Sequence, residues 1–507
     1  MLAAATTVLL AGCSSGADQP IGGPTPTGTG SQATAGIDFT DCSGQFRQAI
    51  SSAKASKLTF SCGRLAVPLD YSQPAGPTIG IYVLKIHSKS QRPADRLGSL
   101  LINPGGPGSS GVFSAASLVT SLSQTVLDHF DIVGFDPRGV GLSDPVQCTS
   151  DSQKDLLTAA NPDVRTAAGR AAARRLYTTV ANACVAKYGT ALGDYNTEAT
   201  ARDMDRIRAA LGDSLLNYLG FSYGTELGAV YAHLFPSRIR TAVLDGAVDP
   251  EASELTQAER QVQGFHDAFD QFAADCRTRP ACAVLGDPRA AVTALIAAAD
   301  RSPIHSTRPG ETRAASGGVV ITAVVAALYN SGRWDALGQA LVAARKGDSA
   351  QLFALADSYS ERDESTGHYT NLLDANLVIS CNDSTLNVTD DLVATTAAQW
   401  SAKYPIFGRN AAASLYACVG WPASDQPLPS SVSAPGAPPI LVVGTLHDPA
   451  TPYADTAALA KAIGSGVVLT WDGQGHTAYL RSQCVTEKVD EYLVTTKAPA
   501  ITSCPLS

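Results

Sequence analysis

The chain has 507 residues, of which 45% are hydrophobic and 16% are charged, and its formal net charge is −9 at pH 7. This hydrophobic content is enough for a large buried core, and the length exceeds that of one ordinary domain. The acidic balance, with no Lys/Arg-rich block, excludes a nucleic-acid-binding surface of the usual basic kind. We therefore expect a soluble acidic protein that does not bind nucleic acid.

Residues 1–13 are a short apolar segment that ends in Leu10-Ala11-Gly12-Cys13. This ending resembles the lipobox of bacterial lipoproteins, in which the cysteine is lipidated and becomes the first residue. The segment is too short to span a bilayer as a mature helix, which favours a signal peptide. No Lys or Arg precedes it, so we expect the true translation start to lie upstream. Cys13 is the predicted lipidation site; the alternative is an ordinary apolar N-terminus with a chance cysteine.

Residues 14–40 are rich in Gly, Pro, Thr, Ser and Ala. Such a composition cannot bury enough apolar surface to fold by itself. We expect a flexible tether between a lipid anchor and the folded body. The protein would then be anchored to the outer face of a bacterial cell membrane, or secreted.

Cysteine usage supports export, because ten of the eleven cysteines remain once Cys13 is set aside. An even number in an exported chain favours disulfides. A zinc site is the alternative, but the spacing contains no paired C-x-x-C motif and no clustered histidines. We expect no metal and no organic cofactor. The simplest connectivity joins sequence neighbours: Cys42 to Cys62, Cys148 to Cys184, Cys276 to Cys282, Cys381 to Cys418, and Cys484 to Cys504.

The pattern of apolar residues predicts a sheet that is mostly parallel. Alternating segments at 65–71 and 78–86 predict an antiparallel opening pair of strands, and continuous apolar runs at 99–102 and 130–135 predict strands buried on both faces. Helix and strand patterns then alternate: helix 197–211, strand 215–221, helix 223–235 and strand 240–246. This order predicts an α/β fold with a doubly wound sheet.

A glycine-rich loop, residues 103–111, follows the strand at 99–102 and reads Asn-Pro-Gly-Gly-Pro-Gly-Ser-Ser-Gly. A phosphate-binding loop is the competing interpretation, but no Gly-Lys-Ser/Thr follows and no dinucleotide fingerprint is present. After the next strand, Asp136 and Arg138 are expected to fix the turn beneath this loop through charge-assisted hydrogen bonds.

Ser222 lies in a Gly-x-Ser-x-Gly motif between a predicted strand and a predicted helix, which is the pattern of a nucleophile elbow. The flanking glycines allow strand and helix to crowd behind a serine that is held at a strained backbone angle. If Ser222 is the nucleophile, the amides of Gly106 and Tyr223 are placed to hold an oxyanion.

Residues 251–376 differ from the segments around them, because strand-type runs largely vanish and alanine-rich helical spacing replaces them. We predict a helical cap over the carboxyl edge of the sheet, which would restrict access and form the substrate pocket. The body of the fold would then comprise residues 41–250 and 377–507.

Two further residues complete a predicted catalytic triad. Asp448 follows the buried run 439–447, and His476 lies in a glycine-flanked loop beyond the run 466–470. The chain order Ser222, Asp448, His476 is the order found in α/β-hydrolases. His476 would accept the serine proton and return it to the leaving group, while Asp448 would fix its tautomer. Asp472 as the partner carboxylate and His447 as the base are weaker alternatives, because each lies too close in sequence to the residue it would have to contact.

These motifs occur together and in order: 103–111, Phe-Asp-Pro-Arg-Gly-Val-Gly-x-Ser at 135–143, Gly-x-Ser-Tyr-Gly-Thr at 220–225, Leu-Asp-Gly-x-Val-Asp-Pro at 244–250, and the segments of Asp448 and His476. In this the chain resembles the tripeptidyl aminopeptidase-like branch of the α/β-hydrolases, exported actinobacterial serine peptidases related to the proline iminopeptidases. The resemblance covers about residues 62–504. It implies an α/β-hydrolase fold and the release of short peptides from free amino termini.

An aminopeptidase has to bind a protonated α-amine, which a partly desolvated carboxylate does by charge pairing. The candidates are Asp383, where the chain re-enters the body after the cap, and Glu226, just behind the nucleophile. Thr451 is expected to hold the Asp448 loop through its hydroxyl. We expect peptide or protein substrates and a monomer. A carboxylesterase or thioesterase of the cell envelope with the same triad is the alternative, and a non-catalytic binding lipoprotein is a third hypothesis.

Overall fold

The computed structural model describes residues 36–47, 55–283, 285–422 and 427–506. The predicted lipidation site Cys13 and residues 14–35 of the predicted tether lie outside these ranges. Within them, no helix combines the length and the apolar character needed to cross a bilayer.

The described strands form a ten-stranded sheet and a separate two-stranded sheet. Their bounds are β1 (Thr40–Asp41), β2 (Leu58–Pro68), β3 (Thr78–Ser88), β4 (Gly98–Asn103), β5 (Phe130–Phe135), β6 (Leu216–Phe221), β7 (Ile239–Asp245), β8 (Ile304–His305), β9 (Ala314–Ala315), β10 (Ile440–His447), β11 (Gly466–Gln474) and β12 (Ser503–Cys504).

The order of strands in the large sheet is β1-β2-β3-β5-β4-β6-β7-β10-β11-β12. The first three neighbouring pairs, through β3 and β5, are antiparallel, and the remaining pairs are parallel. The central strands β4 and β5 are buried along their whole length, in agreement with their continuous apolar sequence. The predicted antiparallel opening pair and mostly parallel sheet are both confirmed.

The helices have the following bounds: α1 (Ser43–Arg47), α2 (Gly111–Leu118), α3 (Gln124–His129), α4 (Asp151–Ala159), α5 (Ala167–Tyr188), α6 (Thr197–Ala210), α7 (Tyr223–Leu234), α8 (Glu254–Cys276), α9 (Pro280–Ala283), α10 (Pro288–Arg301), α11 (Gly317–Leu328), α12 (Trp334–Arg345), α13 (Ala350–Ser360), α14 (Leu372–Asp383), α15 (Asp390–Lys403), α16 (Gly408–Ser414), α17 (Ala454–Ile463) and α18 (Gln483–Thr495). Several begin at a side chain that accepts a backbone amide of the first turn, as Ser110 does for α2, Asn196 for α6 and Ser253 for α8.

Helices cover both faces of the large sheet. Residues of α6, α7 and α17, such as Met204 and Leu227, share one apolar cluster with the strands. Residues of α2, α3 and α18, such as Val126 and Val489, form another cluster on the opposite face. This double layer is the arrangement that the alternation of strands and helices predicted.

A third apolar cluster joins the helices that follow β7. It contains side chains of α8, α10 to α13, α15 and α16, among them Phe272, Val324, Trp400 and Ala412. In α8, Gln261 contacts the carboxyl edge of the sheet by donating a hydrogen bond to the carbonyl of Ala450. The packed helices thus continue well past residue 376 before the sheet resumes at β10. The division between a cap that ends at residue 376 and a body that resumes at residue 377 stays a prediction.

The five predicted disulfides are all formed: Cys42–Cys62, Cys148–Cys184, Cys276–Cys282, Cys381–Cys418 and Cys484–Cys504. Disulfides persist in oxidising compartments and are rare in the cytosol. Their number therefore indicates an extracytoplasmic protein.

Asp136 and Arg138 hold the turn after β5, although only Asp136 reaches the glycine-rich loop. The Asp136 carboxylate accepts hydrogen bonds from the Ser110 hydroxyl and the Val112 amide. Arg138 is fully buried and pairs with Asp203 of α6 instead, and it also donates to three backbone carbonyls, those of Pro68, Leu69 and Asp194.

We expect the substitution Arg138→Met to lower the free energy of unfolding by about 3–5 kcal/mol, because it leaves the Asp203 carboxylate buried without its cation. Arg64 provides the matched control: its pair with Asp144 has both side chains about half exposed (50% and 48%). Arg64→Met should cost less than about 1 kcal/mol. Urea denaturation of both variants measures the difference, and similar losses would contradict a stabilising role for the buried pair.

Candidate active site

The carboxyl ends of the parallel strands lie at one edge of the sheet and carry the predicted site residues. Ser222 follows β6, the glycine-rich loop follows β4, Asp448 follows β10 and His476 follows β11. The strand order β4-β6-β7-β10-β11 makes these loops neighbours. Residues that are far apart in sequence are therefore brought to one site, as expected for a ligand site of an open α/β sheet.

Ser222 has the strained backbone of a nucleophile elbow, with φ 55° and ψ −126°. Residues other than glycine rarely adopt a positive φ. The neighbouring glycines are required by close packing: a Cβ at Gly220 would lie 2.4 Å from the carbonyl oxygen of Gly224, and one at Gly224 would lie 2.8 Å from that of Asn103. The Ser222 amide donates to the carbonyl of Asp245, which fixes the turn on β7.

The glycine-rich loop lies directly against Ser222. Gly105 has φ 95°, and a Cβ there would lie 2.4 Å from the carbonyl oxygen of Phe221 and 3.0 Å from the Cβ of Ser222. The Gly105 amide donates to the side chain of Asn103. Only glycine allows the loop to approach the serine this closely.

The two residues predicted to hold an oxyanion, Gly106 and Tyr223, line the same cavity as Ser222. Tyr223 is the first residue of α7, so its amide has no carbonyl partner within the helix. The positive end of the helix dipole also faces this point. The arrangement can stabilise negative charge that develops next to Ser222.

His476 and Asp448 form a hydrogen-bonded pair. The His476 Nδ1 atom lies 2.9 Å from one oxygen of the Asp448 carboxylate and 3.0 Å from the other. The amides of Ala450, Thr451 and Thr477 also donate to this buried carboxylate. An Nδ1–H that donates to Asp448 leaves Nε2 free to accept a proton.

The structure distinguishes the predicted pair, Asp448 and His476, from the two alternative residues. Asp472 and His447 are both exposed, whereas the Asp448 side chain is buried and bonded to His476. Thr451 holds the aspartate loop as expected, but through its backbone amide; its hydroxyl lies 3.3 Å from Nδ1 of His476.

Asp245 connects the serine turn with the histidine loop. Its backbone carbonyl accepts the Ser222 amide, and its carboxylate accepts the amides of Ala478 and Tyr479. Burial raises the pKa of Asp245 to about 6.

In the described part of the chain, the Ser222 hydroxyl and the His476 imidazole are not joined by a hydrogen bond. Such bonds in active sites often tighten only when substrate is bound.

The helical layer contacts the histidine loop through Tyr329, which follows α11. Its carbonyl accepts the backbone amide of His476, and its ring lies edge-on to the imidazole, with the ring centres 5.2 Å apart. Arg481 donates to the carbonyls of both residues. Sequence reasoning missed Tyr329 and Arg481, because neither lies in a motif.

Carboxylates line the cavity next to Ser222, which has a volume of about 440 Å³. Both predicted amine-binding residues, Glu226 and Asp383, are among them, and so is Glu254 at the start of α8. Sequence reasoning missed Glu254, although it begins the helix at which the chain leaves the sheet edge. The Glu254 carboxylate accepts hydrogen bonds from the Ser384 hydroxyl and the Thr385 amide, so it is held beside Asp383.

Asp383 is tied to both α6 and α7. Its carboxylate accepts the amide and the hydroxyl of Thr197 at 3.1 and 2.6 Å, and the Tyr223 hydroxyl is hydrogen-bonded to that of Thr197. The Glu226 carboxylate has no hydrogen-bond or ion-pair partner within the described residues. It is therefore available to a ligand in the cavity.

Burial and mutual repulsion make these carboxyl groups weak acids. Burial, followed by the charges of Asp383 and Glu254, raises the pKa of Glu226 to about 8. Burial, and then the charge of Glu254, raises the pKa of Asp383 to about 7, against the lowering effect of its hydrogen bonds with Thr197. A cation bound among them would relieve this repulsion.

Comparison with known proteins agrees with this geometry. Residues 98–482 match the family with the α/β-hydrolase fold. The chain is 39% identical over 450 residues to the serine protease Hip1 of Mycobacterium tuberculosis, covering 85% of each chain. It is 35% identical over 448 residues to carboxylesterase B of the same organism, covering 86% of this chain and 84% of the other. It is 32% identical over 506 residues to a tripeptidyl aminopeptidase of Streptomyces coelicolor, covering 93% and 87%.

These matches confirm the resemblance predicted from the motifs. The chain belongs to the α/β-hydrolase family, and within it is related to the tripeptidyl aminopeptidases and to the serine protease Hip1.

Proposed function

We propose that this protein is an exported serine exopeptidase that releases short peptides, such as tripeptides, from free amino termini. The observation that carries the proposal is the acidic cavity: Ser222 opens into a space lined by Glu226, Asp383 and Glu254. A protonated α-amine is the substrate group that such a wall attracts. The relatives named as a serine protease and a tripeptidyl aminopeptidase support a peptide substrate.

In the proposed mechanism, the Ser222 hydroxyl attacks the scissile carbonyl while His476 accepts its proton through Nε2. The amides of Gly106 and Tyr223 stabilise the oxyanion. The His476 proton then passes to the leaving amine, and an acyl-enzyme on Ser222 remains to be hydrolysed by water. Asp448 stabilises the imidazolium throughout.

The cavity also provides a reason for cleavage at a fixed distance from the amino terminus. An extended peptide advances about 3.3 Å per residue, so an amine held on the carboxylates fixes how many residues reach Ser222.

We further propose that the protein is a monomer attached to the outer face of the membrane through lipid on Cys13.

A carboxylesterase of the cell envelope is the second candidate function. The relative named carboxylesterase B favours it, and the same three side chains would perform ester cleavage. An esterase needs no amine site, so the two functions differ in how they use the acidic cavity.

A direct comparison of substrates tests the proposal. Purified enzyme is given Ala-Ala-Pro amides with a free or an acetylated amino terminus, and a short-chain nitrophenyl ester. We expect a strong preference for the free amine and labelling of Ser222 by a fluorophosphonate, located by mass spectrometry. Equal turnover of both amides, with efficient ester hydrolysis, would favour the esterase.

The raised pKa values predict a pH dependence of KM. Below about pH 6, Glu226 and Asp383 are protonated and cannot pair with an ammonium group. As the pH rises, Asp383 ionises near its pKa of about 7 and Glu226 near its pKa of about 8. KM for a free-amine peptide should fall roughly tenfold over this range, until the substrate amine itself loses its proton near pH 8. The KM of the nitrophenyl ester should lack this change; a parallel change for both substrates would contradict the assignment.

A further inference from the structure

A second cavity lies at the nucleophile elbow and is separate from the acidic one. It encloses about 420 Å³ and shares no lining residue with the acidic cavity. Ser222 and Tyr223 line the acidic cavity, whereas the preceding residue, Phe221, lines the second. His476 also lines the second cavity. The two cavities therefore lie on either side of the turn at Ser222, one against Ser222 and the other against His476.

The chemistry of peptide cleavage gives the two cavities different roles. When the tetrahedral intermediate collapses, the C–N bond breaks, its electron pair stays on nitrogen, and that nitrogen takes the proton from His476. The carbonyl carbon remains on Ser222, on the side of the oxyanion amides and the carboxylates. The leaving nitrogen has to face His476, so the polypeptide that it begins extends toward the second cavity.

The described residues that line the second cavity are mainly apolar and include no carboxylate. They come from the end of β4, from α2, from Phe221 and from the histidine loop, and include Ile102, Pro104, Leu118, Phe221 and Tyr479. Two serines of α2, Ser114 and Ser117, complete one side. Among the described lining residues the charged side chain is that of Arg481, which donates to the carbonyls of Gln474, His476 and Tyr329. These walls suit an apolar side chain, and the described lining has no negative charge for a cation to pair with.

We propose that this cavity receives the first residue of the leaving polypeptide and selects an apolar or aromatic side chain there. The inference rests on the proposed peptidase function and adds a specificity on the leaving side of the cut. It also assigns opposite chemistry to the two sides, with an amine held on the acyl side and an apolar side chain on the leaving side.

A peptide series tests the selection. Quenched fluorescent peptides begin with Ala-Ala-Ala, and their fourth residue is Phe, Leu, Gly or Asp. We expect kcat/KM for Phe and Leu to exceed that for Gly by at least about tenfold, because the side chain leaves water for an apolar wall. Asp should be the poorest substrate. Equal rates for all four peptides would overturn the inference.

Filling the cavity provides the second arm. Ser114→Phe should lower kcat/KM for the Phe and Leu peptides at least about tenfold, because the cavity loses the volume that the side chain would occupy. Ser117→Phe serves as a second filling variant if thermal unfolding shows that the first is misfolded. Ser121→Phe is the matched control, since this exposed serine just beyond α2 does not line the cavity.

Ala-Ala-Ala methyl ester separates this inference from the proposed function. Its leaving group, methanol, is too small to reach the cavity walls, so the filling variants should lose at least about tenfold less activity on it than on the Phe and Leu peptides. Unchanged selectivity among the peptides in both filling variants would overturn the leaving-side cavity while the peptidase function stands. If the wild-type enzyme cleaves neither the methyl ester nor the peptides, the proposed function itself is wrong.

Discussion

Asp448→Asn is expected to lower kcat about ten-thousandfold on both peptide and ester substrates. The carboxylate accepts the Nδ1 proton of His476 at 2.9 and 3.0 Å, which keeps Nε2 unprotonated. An asparagine can present its amide N–H to Nδ1, so the imidazole would carry its proton on Nε2 and could no longer accept one from Ser222. Because Asn is nearly isosteric with Asp, the loss would come from the tautomer and the missing charge.

Asp472→Asn is the matched control for this substitution. Asp472 precedes His476 by four residues but is exposed, and the part of the chain that the structure describes shows no bond between them. We expect near-wild-type kcat for this variant, and thermal unfolding curves should show that both variants are folded. A large loss in Asp472→Asn with little change in Asp448→Asn would show that the wrong carboxylate has been assigned.

The second large effect concerns the acidic cavity. Replacing Glu226 with Gln and Asp383 with Asn in one variant should lower kcat/KM for free-amine peptides roughly 100-fold or more, since a hydrogen bond to a charged group contributes about 1.5–3 kcal/mol. The loss should appear mainly in KM, because the ammonium is held equally in the ground state and the transition state. Hydrolysis of nitrophenyl acetate, which has no amine, should be unchanged.

Glu259→Gln is the control for removing a carboxylate from this region. Glu259 lies on α8, five residues beyond Glu254, and pairs with Lys403 at the surface, outside the cavity. It should leave both reactions unchanged. Equal losses of kcat/KM on the peptide and on nitrophenyl acetate in the double variant would contradict the amine-binding role. Asp383 also accepts hydrogen bonds from Thr197, so such losses would indicate that it acts only by positioning α6.

Those parts of the fold that depend on local pattern could be predicted from the sequence. Strands β2 to β7, the elbow at Ser222 and the histidine loop were predicted because apolar periodicity and glycine positions follow from backbone sterics and burial. The same patterns placed Ser222, Asp448 and His476 at strand ends, and parallel strands bring their carboxyl ends to one edge. The disulfides were also predicted, because they join sequence neighbours.

Other features depend on contacts between segments that have no local signature. Arg138 pairs with Asp203, and Tyr329 supports His476. Glu254 joins Asp383 through the loop that follows α14.

The sequence by itself therefore determined a mostly parallel sheet with strands β2 to β7, the places of Ser222, Asp448 and His476 at strand ends, and the cysteine pairs, since these follow from short-range periodicity and motif order. Only the tertiary structure decided how the helices after β7 lie across the carboxyl edge of that sheet. Their packing sets the volume and the charge of the acidic cavity beside Ser222. The second cavity, beside His476, is formed where β4, α2 and the histidine loop are brought together by the sheet. The physical reason is that the shape of a cavity and the pKa of a carboxyl group depend on distances between side chains from several helices and loops. These distances are fixed only when the apolar faces of those helices pack together.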